Sequence, residues 1–76
     1  MGEAKYEIIK KVKVLSQGAV KTKELNIVKW GKFEPMFDIR KWDSGEPGKG
    51  IVLTTEEAKA LYQALGEELA NKSQLL

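Results

Sequence analysis

The sequence predicts an α+β domain of four antiparallel strands followed by one C-terminal helix, ββββα. Three observations carry this. Phe37-Asp38-Ile39-Arg40-Lys41-Trp42 alternates with the two-residue period of a strand that has one face in a core. Other β-branched runs are separated by Gly-, Pro- and Ser-containing turn clusters. After Thr54, apolar residues recur at helical spacing. With 76 residues there is room for one small domain, assigned to residues 5–70, and 71–76 read as a flexible tail.

The first strand spans Tyr6 to Leu15, closed by Ser16-Gln17-Gly18. Burying Ile8, Val12 and Val14 keeps Lys11 and Lys13 outside, whereas the opposite register buries two lysines. The second strand covers Lys23 to Trp30, and Gly31-Lys32-Phe33-Glu34-Pro35 is a loop because Pro35 lacks a ladder donor. Met36 to Trp42 form the third strand, Asp43 to Gly48 a loop by composition, and Ile51 to Leu53 a short fourth strand. Thr54 caps the helix, with Glu57 closing a capping box and Glu56 and Glu57 favouring the positive end of its dipole. Ala58, Leu61, Tyr62, Leu65 and Leu69 make its apolar side. Gly66 implies that the helix ends near Leu65 or that another backbone passes close there.

The chain has neither cysteine nor histidine, which removes disulfides, the commoner zinc sites, a thiol nucleophile and an imidazole base. No glycine-rich phosphate loop or spaced carboxylate pair replaces them, so no enzyme, metal or cofactor is expected. The start Met1-Gly2-Glu3-Ala4-Lys5 lacks the apolar segment of a signal peptide, and no run is long enough for a membrane span. A soluble, cytoplasmic, nucleoid-associated protein is the expectation. A domain this short buries only about 60% of its unfolded surface. Without metal or disulfide, self-association is the remaining aid. Ala60 and Ala64 widen the uncharged side of the helix, and a homodimer seam through Ala60, Leu61, Ala64 and Leu65 is expected. The alternative is that these alanines are simply good helix formers on a solvent face.

Charge is uneven. Residues 1–53 hold 11 Lys/Arg against 7 Asp/Glu, and residues 54–76 hold 2 against 4, so the sheet is the basic part. Lys11, Lys13, Asn26, Trp30, Arg40 and Trp42 are predicted to share one outward sheet face, with Lys23 beside them and Lys21, Lys32 and Lys49 on adjoining loops. Aromatic rings stack on unpaired bases, and flanking cations neutralise phosphates. On this reading the tryptophans are exposed. The alternative places one or both in a second small core or at a dimer seam. Asp38 shares a strand face with Arg40, where it can pair with a basic neighbour and fix its direction.

These residues resemble the single-stranded-DNA-binding transcriptional coactivators of the positive-cofactor-four type, most closely the short bacterial YdbC-like members. The resemblance runs from about Lys23 to Leu65. It rests on Glu24-Leu25-Asn26, Val28-Lys29-Trp30, Phe37-Asp38-Ile39-Arg40 with Trp42, and Gly48-Lys49-Gly50-Ile51-Val52-Leu53-Thr54 leading into Glu56-Glu57. It implies a curved sheet, a homodimer joined through its helices, and binding of unpaired DNA with little sequence preference. It also implies service in transcription or another DNA transaction, with the transcription machinery as a further partner. Trp30 and Trp42 are then the stacking residues, and Arg40 and Lys49 the phosphate or sheet-edge contacts. The loop from Asp43 to Gly50 is shorter than in the eukaryotic coactivators and their serine-rich regulatory extension is missing, so strand binding is expected rather than coactivation. Two other classes stay open: an RNA-binding protein using the same face, and a protein-interaction module with tryptophan anchors.

Overall fold

The computed structural model describes residues 5–71. Four strands, β1 (Tyr6–Gln17), β2 (Lys21–Trp30), β3 (Met36–Asp43) and β4 (Glu46–Leu53), form one antiparallel sheet in the order β1-β2-β3-β4, and helix α1 (Thr55–Ala70) follows. The predicted ββββα order holds. Asn71 closes the helix as its C-cap, and the rest of the expected tail, 72–76, lies outside the described residues, as does the 1–4 start.

The largest difference from the expected elements is β4, which begins at Glu46 rather than Ile51. Ser44 and Gly45 both have positive φ, 54° and 86°, the mirror-image two-residue turn whose twist matches a hairpin. The expected six-residue loop is therefore a tight turn. Pro47 is accommodated because β4 is an edge strand. Lys21 and Lys49 consequently lie in strands rather than loops, whereas Lys32 is in the β2–β3 turn. Gly50 is fixed by packing: a Cβ there would collide with Arg40 Cβ and Ile39 O.

Strand β1 departs from simple alternation. Its pairing with β2 shifts register three times, between Ile8 and Lys10, Lys11 and Lys13, and Val14 and Ser16. Each bulge adds a residue, bends the strand and moves the next side chain to the other face. Ile8, Lys11 and Val14 thus stand opposite Val28, Asn26 and Glu24, while Lys13 stands opposite Leu25. This corrects the expected register: Ile8 and Val14 share a face with Lys11, and Lys13 is on the other side.

The helix is capped as expected, with Glu57 N–H donating to Thr54 Oγ1 at 3.1 Å and Thr54 N–H to Glu57 Oε1 at 2.9 Å. It runs unbroken through Gly66, where a Cβ would meet nothing within 4 Å, so neither expected reason for that glycine applies within the protomer. Among the described residues it touches only β3 and β4. Ala58 and Leu61 are half-buried, but Ala60, Tyr62, Ala64, Leu65 and Leu69 are exposed. Among the described residues, no helix is long and apolar enough to cross a membrane.

Candidate nucleic-acid interface

Pairing of Thr22 with Trp42, Glu24 with Arg40, Asn26 with Asp38 and Val28 with Met36 puts these residues on one sheet face, with Trp30 at its end. Leu25, Ile27, Phe37 and Ile39 occupy the other, which faces α1. Among the described residues no helix covers the first face, yet Val28, Asn26 and Asp38 are all but fully buried there and Trp42 is 5% exposed. Tyr6 of β1 closes over part of this face by packing against Trp30 and Trp42.

At the centre of this face Asp38 organises two of the predicted contacts. Arg40 Nε donates to Asp38 Oδ1 at 2.7 Å and Nη2 to Oδ2 at 2.8 Å, and Trp30 Nε1 donates to the same Oδ2 at 2.9 Å. This is the pairing expected between Asp38 and a basic neighbour. Arg40 Nη1 reaches Gly48 O at 2.8 Å, across the space that Gly50 leaves open. Two of the five guanidinium N–H bonds remain without a partner among the described residues. The guanidinium also lies 4.6 Å from the Trp30 ring centroid, a cation–π contact. Tyr6 packs against Trp30 at 5.1 Å and edge-on against Trp42 at 5.7 Å, so three rings form one cluster.

A second polar group lies beside it. Asn26 Oδ1 accepts the Val12 backbone N–H at 3.3 Å, a donor released by the bulge, and its Nδ2 donates to Glu24 Oε1 at 3.0 Å. Thr22 Oγ1 donates to Glu24 Oε2 at 2.6 Å. The Asn26 bond, then the Thr22 bond, hold the Glu24 carboxyl below its ordinary range against the opposing effect of burial, with help from the Lys11 charge.

The predicted site is therefore divided. Lys11, Asn26, Trp30, Arg40 and Trp42 do share a face, but Asn26 is consumed by structural hydrogen bonds and is 1% exposed. Trp42 is not exposed: it belongs to a small core beneath Tyr6, and its Nε1 has no acceptor among the described residues. Trp30 is half-buried. Lys13 and Lys23 lie on the opposite face, Lys23 directly across from Lys41. Lys11, Lys21, Lys32 and Lys49 are exposed. Tyr6, 37% exposed, is the residue that sequence reasoning missed. Its place opposite Trp30 is set by the pairing of β1 with β2, which no spacing within the first strand announces. Among the described residues, no group of acidic side chains is placed to hold a metal ion.

No family model and no curated protein matches this chain.

Proposed function

We propose that the protein binds single-stranded DNA with little sequence preference, as a homodimer of the coactivator type that its sequence motifs resemble. One observation carries the reading: three aromatic rings and an arginine gather on a sheet face that no helix among the described residues covers, and exposed lysines border it. Tyr6 and Trp30 offer ring surface to unpaired bases, Trp42 supports them from below, and Lys11, Lys21, Lys32, Lys49 and the two remaining N–H bonds of Arg40 meet phosphates. Lys13 and Lys23 join only if a strand passes round the sheet. The opposite face supports the dimer. There Leu25, Phe37 and Ile39, with Leu61, Tyr62 and Leu65 of the helix, line an open groove of about 570 Å³ that a second copy would cover. Transcription or another DNA transaction is the setting we assign.

The deciding measurement is a tryptophan-fluorescence titration with single-stranded and duplex oligonucleotides, since stacking needs bases already free of their partners. With four or five phosphates neutralised, log affinity falls against log salt with a slope near −3, at roughly −0.7 per contact. Equal or tighter duplex binding overturns the reading, and a slope near zero favours a protein partner. Matched RNA strands binding more tightly than DNA would reassign the ligand. Sedimentation of a monomer at tens of micromolar would remove the dimer.

A further inference from the structure

The curled face holds a cavity of about 200 Å³, smaller than the roughly 300–1,000 Å³ of pockets for drug-sized ligands. Tyr6 and Trp42, meeting edge to face, give it an aromatic wall, Ile8 and Val20 an apolar one. Glu24, nine-tenths buried, lines it together with Thr22, and Lys11 contributes the cation. Aromatic and apolar walls suit a flat heterocycle, and a single carboxylate among them selects what that heterocycle must offer.

We propose that this cavity receives one nucleobase of the bound strand and that Glu24 makes it favour guanine. The inference rests on the strand-binding reading above. A carboxylate accepts hydrogen bonds and donates none. Each Glu24 oxygen already takes one bond from within the chain, from Thr22 at 2.6 Å and from Asn26 at 3.0 Å. Two neighbouring acceptor positions, one per oxygen, are left for a ligand. Guanine is the base whose pairing edge carries two adjacent donors, N1–H and the N2 amino group, and a bidentate contact to an anion is the strong form of hydrogen bond. Adenine and cytosine present one amino group beside a ring acceptor. Thymine presents one N–H between two carbonyls, which a carboxylate repels. The hydrogen bonds from Asn26 and Thr22 also keep Glu24 ionised at neutral pH, so it offers acceptors only. Lys11, on the same face, is placed to take the phosphate of that nucleotide.

The test uses deoxyguanosine, deoxyinosine and thymidine 5′-monophosphates, followed by NMR at the Thr22 and Glu24 amides and the Trp42 indole N–H. The guanine nucleotide should shift these signals at roughly tenfold or more lower concentration than the inosine nucleotide, which lacks the amino group, or the thymine nucleotide. Glu24→Gln, nearly isosteric, should abolish the order, and Tyr6→Leu should weaken all three. Equal responses to the three nucleotides, shifts confined to other residues, or an unchanged order in Glu24→Gln would overturn the proposal. The wild-type comparison decides even if a variant does not fold. Thymidine strands with one central guanine or hypoxanthine separate this inference from the one beneath it. Strands that bind without a guanine preference overturn the pocket alone, whereas guanine-selective monomer binding without strand binding overturns the strand-binding reading alone.

Discussion

The two faces of the sheet invert the usual arrangement of a small domain. One carries Asp38, Asn26, Glu24 and Arg40 and is largely buried, while the other carries Leu25, Phe37, Ile39 and Ile51 and stays partly open beneath a helix that touches it through its first turns. Burying polar groups is tolerable only when their hydrogen bonds are made. For the carboxylates and the amide they are: Asp38 has three, and Glu24 and Asn26 bond to each other and to their neighbours, while Trp42 Nε1 stays without an acceptor among the described residues. Apart from that indole N–H, the polar face is closed within the single chain. The apolar face is not, and Tyr62 at 79% exposed and Leu69 at 62% show how much of the helix lies uncovered. The contrast separates a face that the single chain closes from one that it leaves open.

The most severe break in this contrast is removal of Asp38. Asp38→Ala leaves the Arg40 charge and the Trp30 indole N–H without their carboxylate in a half-buried setting, and we expect a loss of about 3 kcal/mol in urea unfolding, the low end for a broken buried pair. Replacing Arg40 by leucine in the same chain should return part of that loss, because the desolvated charge then disappears as well. Trp42→Ala should cost a similar amount by cavity formation. A near-neutral Asp38→Ala would mean that the polar face is open to water in solution.

Next in size are the effects on strand binding. Tyr6→Ala and Trp30→Ala should each weaken binding to a single strand by about 1–3 kcal/mol while the cooperative melt is retained. Trp42→Ala should instead act through stability, measured by the same melt. If Trp42→Ala weakens binding and leaves the melting temperature alone, the assignment of Trp42 to a supporting role is wrong.

How much of this was legible depended on whether the signal was local. The capping box of Thr54 and Glu57 is a contact between residues three apart, and it forms as read. The alternation of Phe37 and Ile39 against Asp38, Arg40 and Trp42 likewise set the faces of β3, because β3 keeps an unbroken register with β2. Composition misled at Glu46-Pro47-Gly48, where an edge position removes the usual objection to proline in a strand. The β1 faces were not readable from period-two alternation, since three bulges leave Ile8, Lys11, Val14 and Gln17 on one face at every third position. Trp42 is buried beneath Tyr6 of β1, a long-range contact that no spacing within 37–42 contains.

Gly66 sharpens the comparison from the apolar side, with a smaller effect. In the protomer it sits inside an uninterrupted helix with open space where a side chain would be. Gly66→Ala should therefore raise stability by up to about 1 kcal/mol through helix propensity, seen as a higher melting temperature. A fall in melting temperature together with a raised dimer dissociation constant would instead place a partner's backbone against Gly66.

The mildest effect concerns acid. Glu24 has its carboxyl held below the ordinary value of 4.5, chiefly by the hydrogen bond from Asn26 and then by that from Thr22. A group whose pKa is depressed in the folded state stabilises the fold above its unfolded pKa, and that contribution is lost as pH falls through the folded value. The wild-type protein should accordingly lose stability from below about pH 4.5 downward in part through Glu24. Glu24→Gln cannot titrate, so its stability should fall less steeply over the same range, measured as urea midpoints at successive pH values. The variant is expected to be the less stable of the two at neutral pH, where the wild-type carboxylate accepts both bonds in ionised form, and the gap should narrow in acid. Parallel pH profiles for the two proteins would show that Thr22 and Asn26 hold the glutamate no more firmly in the folded state than water does in the unfolded one. The polar face would then owe its burial to Asp38 and the aromatic cluster alone.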